Sequence, residues 1–164
     1  MAVNPKWLRK AQSWARPLAE SNGPRSANSI FGIMSDPLRI LVVEDEKAVG
    51  HMIAMVLGGA AAKVATAKNG WEALIKIGVT DRAFEIVITD HRMPRMTGLQ
   101  LVRRLRAKNF GGKILVLSAH LSDEVIREYQ ELGVDMMMTK PFDFEELQQA
   151  MAVLNKKPSL PAKA

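Results

Sequence analysis

The stretch Ile86-Val87-Ile88-Thr89-Asp90-His91-Arg92-Met93-Pro94 decides the fold, because a β-branched apolar run stops on a carboxylate and passes into a loop with a proline. An apolar run of this length without alternation is the pattern of a strand buried on both faces, as in parallel sheets. Three more runs behave alike. The run from Leu38 to Val43 ends on Glu44-Asp45-Glu46, that from Lys113 to Leu117 ends on Ser118, and that from Val134 to Met138 ends near Lys140-Pro141. A weaker strand is predicted from Lys63 to Ala67.

Segments of helical spacing separate these runs. Val49, Met52, Ile53, Val56 and Leu57 predict a helix stopped by Gly58-Gly59, and Asn69-Gly70 leads into another with Trp71, Leu74, Ile75 and Ile77. Gly98 opens a helix carrying Leu99, Leu101, Val102 and Leu105, closed by Asn109 and Gly111-Gly112. Ser122 caps a helix with Val125, Ile126, Tyr129 and Leu132, since its oxygen can satisfy free amides and Asp123 and Glu124 suit the positive helix end. The last helix starts at Asp143 or Phe144 and buries Leu147, Met151 and Leu154. Five strands alternating with helices, with no hairpin signal, predict an α/β domain: a five-stranded parallel sheet with helices on both faces.

The 164 residues suit one domain with extensions, and the absence of cysteine excludes disulfides, thiolate metal sites and cysteine nucleophiles. No apolar run is long enough for a membrane helix and no signal-peptide core is evident, so a cytoplasmic protein without membrane insertion is expected. The net charge of +6 is concentrated at the ends. Lys6, Arg9, Lys10, Arg16 and Arg25 against Glu20 leave residues 1–33 at +4, Lys156, Lys157 and Lys163 put 155–164 at +3, and 34–154 is left at −1. The core therefore has no global charge favouring nucleic acid. Residues 1–36 read as a short amphipathic helix around Trp7, Leu8, Trp14 and Leu18, then a linker rich in Ser, Asn, Gly and Pro. Met34, just before the first strand, is a candidate start of translation, with the preceding residues a dispensable leader. The expected domain runs from 37 to 155, with a flexible tail over 156–164.

Glu44-Asp45, Asp90, Ser118 and Lys140 all fall where strands end, and in open α/β sheets ligands bind beyond those carboxyl ends. With the flavodoxin-like strand order 2-1-3-4-5, Asp45 and Asp90 lie side by side. Clustered carboxylates repel unless a cation joins them, and Mg²⁺ fits: it takes hard oxygen ligands, usually one or two carboxylates plus phosphate oxygens. Asp45 and Asp90 are candidate direct ligands, with Glu44 acting through water. Asp90 is then a candidate carboxylate nucleophile for a phosphoryl group, Lys140 a second positive charge and Ser118 a hydrogen-bond donor. His51, His91 and His120 match no metal motif and read as surface residues, and Met136-Met137-Met138 reads as buried strand.

Over about residues 37–155 the sequence resembles the receiver domain of bacterial two-component response regulators. The matching marks are Glu44-Asp45, Asp90 with Met93-Pro94 and Gly98 downstream, Ser118-Ala119, and Lys140-Pro141-Phe142. The resemblance implies Mg²⁺-dependent transfer to Asp90 from the phosphohistidine of a sensor histidine kinase or histidine phosphotransfer protein, followed by slow hydrolysis. It also implies that the backbone carbonyl of Arg92 completes the metal site, that the Lys140-Pro141 peptide is cis, and that Arg92 and His120 flank the phosphoryl group and tune its lifetime. One departure stands out. The family usually has Tyr or Phe three residues before the strand-five lysine, and here that position is Met137. The signal is then expected to leave through Ser118, the following loop and the helix from Ser122 to Leu132, with Met137 repacking.

Only a Lys- and Pro-containing tail follows Leu154, so a single-domain regulator is expected, working through an unknown partner or onward phosphotransfer rather than as an enzyme on other substrates. A phosphohydrolase of the haloacid dehalogenase type also forms an aspartyl phosphate, but it needs a second Asp where Arg92 stands. A flavodoxin would place phosphate against Glu44, Asp45 and Glu46, which repel it. A nucleic-acid-binding regulator has only the basic tails behind it.

Overall fold

The computed structural model describes residues 36–155; the expectations for the amphipathic segment, the linker and the tail lie outside them. Five strands, β1 (Leu38–Val43), β2 (Ala62–Ala67), β3 (Ile86–Asp90), β4 (Lys113–Ser118) and β5 (Met136–Thr139), form one sheet in the order β2-β1-β3-β4-β5. Every pairing is parallel. The helices are α1 (Lys47–Leu57), α2 (Gly70–Val79), α3 (Gly98–Ala107), α4 (Asp123–Glu131) and α5 (Phe144–Leu154). The predicted class, strand order and helix count are all found.

Which face each helix covers follows from the chirality of the crossovers. Parallel connections are right-handed, so reversing the direction of travel across the sheet moves the connecting helix to the other face. The chain steps outward from β1 to β2 and then back over β1 to β3, β4 and β5. Residues from α2, α3 and α4 accordingly join Leu41, Val43, Val87, Val116 and Met137 in one core layer. Residues from α1 and α5 join Ile40, Val42, Ile88, Leu117 and Met138 in the other. Odd and even positions of β1 thus feed opposite layers, as the pleat requires. Both layers are needed to bury β1, β3 and β4, which explains why their sequences do not alternate.

Element ends follow local chemistry. Ser122 accepts from the Val125 amide, and Asp143 and Glu146 form a reciprocal capping box that starts α5 at Phe144. Thr97 and Gln100 form another at α3. The fifth strand starts two residues later than predicted. The Val134 amide donates to the Tyr129 carbonyl, closing α4; the Asp135 amide donates to the Ile114 carbonyl, but its carboxylate takes the Ile114 amide in return, so regular backbone pairing begins only at Met136. Arg106, at the end of α3, donates to the carbonyls of Phe110, Gly112, Leu132 and Gly133, tying α3 to the turn before β5.

Candidate functional site

Parallel register brings the carboxyl ends of β1, β3, β4 and β5 to one edge. Val43 pairs with Thr89, Asp90 with Leu117, and Ser118 with Thr139, so the residues that follow each strand share one level. Glu44, Asp45 and Asp90 offer carboxylate oxygens that all lie within 4.8 Å of one another. Glu44 and Asp90 are buried, whereas Asp45 is exposed to incoming solutes. The Lys140 ammonium enters this cluster 2.7 Å from Glu44 Oε2 and 3.4 Å from Asp90 Oδ2. The Lys140-Pro141 peptide is cis, as the resemblance implies.

Asp90 is held asymmetrically. Its Oδ1 accepts from the His91 amide at 2.8 Å, leaving Oδ2 as the oxygen turned toward Lys140. Gly98 makes this turn possible, since a Cβ there would lie 2.3 Å from the Asp90 carbonyl oxygen while the Gly98 amide donates to His91 at 2.9 Å. Burial pushes the Glu44 carboxyl above its ordinary range, and the hydrogen bond from Lys140 offsets this only in part. Burial alone would lower the Lys140 ammonium, but the hydrogen bond and charge of Glu44, with Asp90 behind it, hold it above its ordinary value.

The donor set fits a hard divalent cation. Three carboxylates within 4.8 Å of one another, with one ammonium beside two of them, leave excess negative charge, and all the donors are oxygens. One expected group points elsewhere and another is shared between two carboxylates. The Ser118 hydroxyl donates to the His120 carbonyl at 2.9 Å rather than to Asp90, and Lys140 is closer to Glu44 than to Asp90. The side chains of Arg92 and His120 are exposed, and Met137 is buried in the α2–α4 layer.

His91 corrects the surface reading given to the three histidines, for only His51 and His120 are exposed. Its ring is half-buried, and Nδ1 lies 2.8 Å from the hydroxyl of Tyr129, with the rings edge to face at 5.8 Å between centroids. Burial lowers the His91 pKa more than the Asp90 charge raises it. Burial also pushes the Tyr129 phenol well above its ordinary value, with the charges of Asp90 and Glu128 adding to it. Both shifts favour the neutral forms, in which the phenol can donate to the imidazole. Tyr129 has the helical spacing of a core residue, and no local signal shows that its hydroxyl reaches the residue after Asp90.

Comparison with known proteins shows the family of this fold. The family model of the response regulator receiver domain matches residues 40–152, and the chain belongs to that family. The transcriptional regulatory protein CutR of Streptomyces coelicolor is 33% identical over 126 residues, covering 76% of this chain and 56% of CutR. The response regulator MprA of Mycolicibacterium vanbaalenii is 38% identical over 118 residues, covering 72% of this chain and 50% of MprA. This chain spans about half the length of such relatives. Among solved structures, the chemotaxis response regulator CheY4 of Vibrio cholerae is 30% identical with a TM-score of 0.65, covering 73% of this chain and 99% of that one.

Proposed function

We propose that this receiver domain accepts a phosphoryl group on Asp90 from a phosphohistidine of a sensor histidine kinase or phosphotransfer protein. The observation that carries the proposal is the convergence of the Glu44, Asp45 and Asp90 carboxylates, with the Lys140 ammonium beside Glu44 and Asp90. Asp45 and Asp90 would hold Mg²⁺, with Glu44 through water and the Arg92 carbonyl as a further ligand; bound there, the ion neutralises charge on phosphoryl oxygens. An Asp90 carboxylate oxygen forms the new O–P bond as the donor's P–N bond breaks, its electron pair leaving with the imidazole nitrogen. Lys140 moves from Glu44 toward a phosphoryl oxygen, a shift its flexible stem permits. Water later cleaves the acyl phosphate at a rate tuned by Arg92 and His120, so the domain's chemistry is confined to its own Asp90.

The signal leaves through β4 and α4. Ser118 turns from the His120 carbonyl toward the phosphoryl group, drawing on the loop before α4. Tyr129 offers a second link, because its hydroxyl ties α4 to His91 beside Asp90. Met137 shares the core layer with Tyr129 and repacks as α4 shifts. The output is partner binding or onward phosphotransfer, and the cytoplasmic setting belongs to the same proposal.

Mass spectrometry after incubation with acetyl phosphate and Mg²⁺ tests the central step. Wild type should gain one phosphoryl group and Asp90→Ala none. An equal gain in both proteins, or no gain in wild type, overturns the proposal.

A further inference from the structure

Helix α2 exposes a stripe of large apolar side chains one turn apart: Trp71, Ile75 and Val79 are 49%, 62% and 74% exposed. Single exposed apolar residues are ordinary on protein surfaces, but residues at i, i+4 and i+8 of one helix make a continuous strip. Beside it, between α2 and the end of α3, Trp71, Leu74, Ile75, Arg104, Ala107 and Lys108 line an open groove of about 360 Å³. The Arg104 guanidinium stands over the Trp71 ring, 4.7 Å from its centroid.

The charges around this groove point to what fills it. On α3, Arg103 pairs with Glu128 of α4, and Arg106 is taken up by backbone carbonyls. On α2, Glu72 is paired with Lys76 at 3.3 Å and accepts from the Lys68 amide, and its carboxyl is held below the usual range chiefly by that amide. Arg104 and Lys108, by contrast, have no carboxylate partner among the described residues. Stacking on the indole orients the Arg104 guanidinium while leaving its N–H donors open, the form in which arginine grips a carboxylate. The groove is thus apolar within and cationic at its rim.

We propose that this groove binds an acidic amphipathic helix of a partner protein, its apolar side chains lying against Trp71, Leu74 and Ile75 and its carboxylates meeting Arg104 and Lys108. Helix-in-groove recognition of this kind uses anchors at i, i+3 or i+4, and i+7, and complementary charge sets orientation and partner choice. Other occupants fit less well. The chain's own residues 1–33 carry net charge +4 and would meet like charge. A second copy packed through the same face would set the two cationic rims against each other. A lipid surface is flat and leaves a groove between two helices unfilled. The groove is built from α2 and α3 without any phosphoryl group, so this inference does not rest on phosphorylation of Asp90.

Selection of randomised 16-residue peptides displayed on phage against the full-length chain tests it, with NMR of labelled protein mapping where the enriched peptides bind. Enriched sequences should combine apolar residues at helical spacing with Asp or Glu and perturb amides of α2 and α3. Arg104→Glu combined with Lys108→Glu should weaken them at least about tenfold, and exchanging the peptide's acids for lysine should restore binding to that variant. Asp90→Asn should bind like wild type. Enrichment of neutral or basic peptides, perturbations mapping elsewhere, or affinity unchanged in the double variant each overturn the proposal. So does a change in α2 and α3 amides on deleting residues 1–33, on diluting the protein, or on adding anionic vesicles. Those results would assign the groove to the chain's own segment, a second copy or a membrane.

Discussion

Asp90 owes its usefulness to neighbours that its own sequence context does not name. That it ends a buried strand is legible, because an apolar run stopping on a carboxylate is a local signal. That Lys140, 96 positions from Glu44, prefers Glu44 over Asp90 is not, since distance along the chain says nothing about which of two carboxylates an ammonium meets. The close approach at Gly98 yields one prediction. Gly98→Ala places a methyl against the Asp90 carbonyl and should destabilise the domain by about 1–3 kcal/mol in urea unfolding while slowing phosphorylation by acetyl phosphate. Tyr129 yields another. It is the chain's single tyrosine, so tyrosinate absorbance reports it alone. Its folded pKa lies above the ordinary 10.0. The stability it permits is therefore fully present below about pH 10 and falls as pH rises further, because the unfolded chain releases the proton first. The folded protein should show no tyrosinate until it unfolds, and Tyr129→Phe should lose stability less steeply in alkali. If the hydroxyl also links His91 to α4, Tyr129→Phe should keep the phosphoryl gain at Asp90 but reduce the NMR changes in α4 that accompany it.

At the scale of elements, helices and strands were readable wherever burial wrote a period into the sequence, and boundaries moved where a side chain replaced a backbone partner. Asp135 is such a case, its carboxylate taking the Ile114 amide and delaying β5 to Met136. Arg106 is the other. Its place in α3 suggests a solvated charge, yet it joins α3 to the turn before β5 through four carbonyls contributed by two separate loops. Arg106→Ala strands these acceptors, and the hydrogen bonds to a charged donor that it removes put the loss at about 2–4 kcal/mol, measured by urea or thermal unfolding. Arg106→Lys should recover only part of it, because a single ammonium cannot span positions that a planar guanidinium reaches together.

For the molecule as a whole, parallel pairing was legible in strands alternating with helices and no hairpin signal, whereas the order 2-1-3-4-5 came from likeness to a flavodoxin-like sheet, because no local pattern says which strands are neighbours; the parallel sheet gathers the polar residues of four strand ends on one edge. The same convergence concentrates repulsion. Adding Mg²⁺ should raise the midpoint of thermal unfolding, by about 2.7 kcal/mol of stability at a hundredfold excess over its Kd, and EDTA should reverse it. Asp45→Asn with Asp90→Asn should be more stable than wild type without the ion and unresponsive to it. The division of the core into two layers carries a last implication. Asp45 lies open beside α1, whereas the α2–α3 groove belongs to the opposite face of the sheet. On the two proposals above, a phosphodonor reaching Asp90 and an acidic helix in the groove would have separate berths, so the two would be able to occupy one receiver at the same moment, and neither would have to leave before the other arrives.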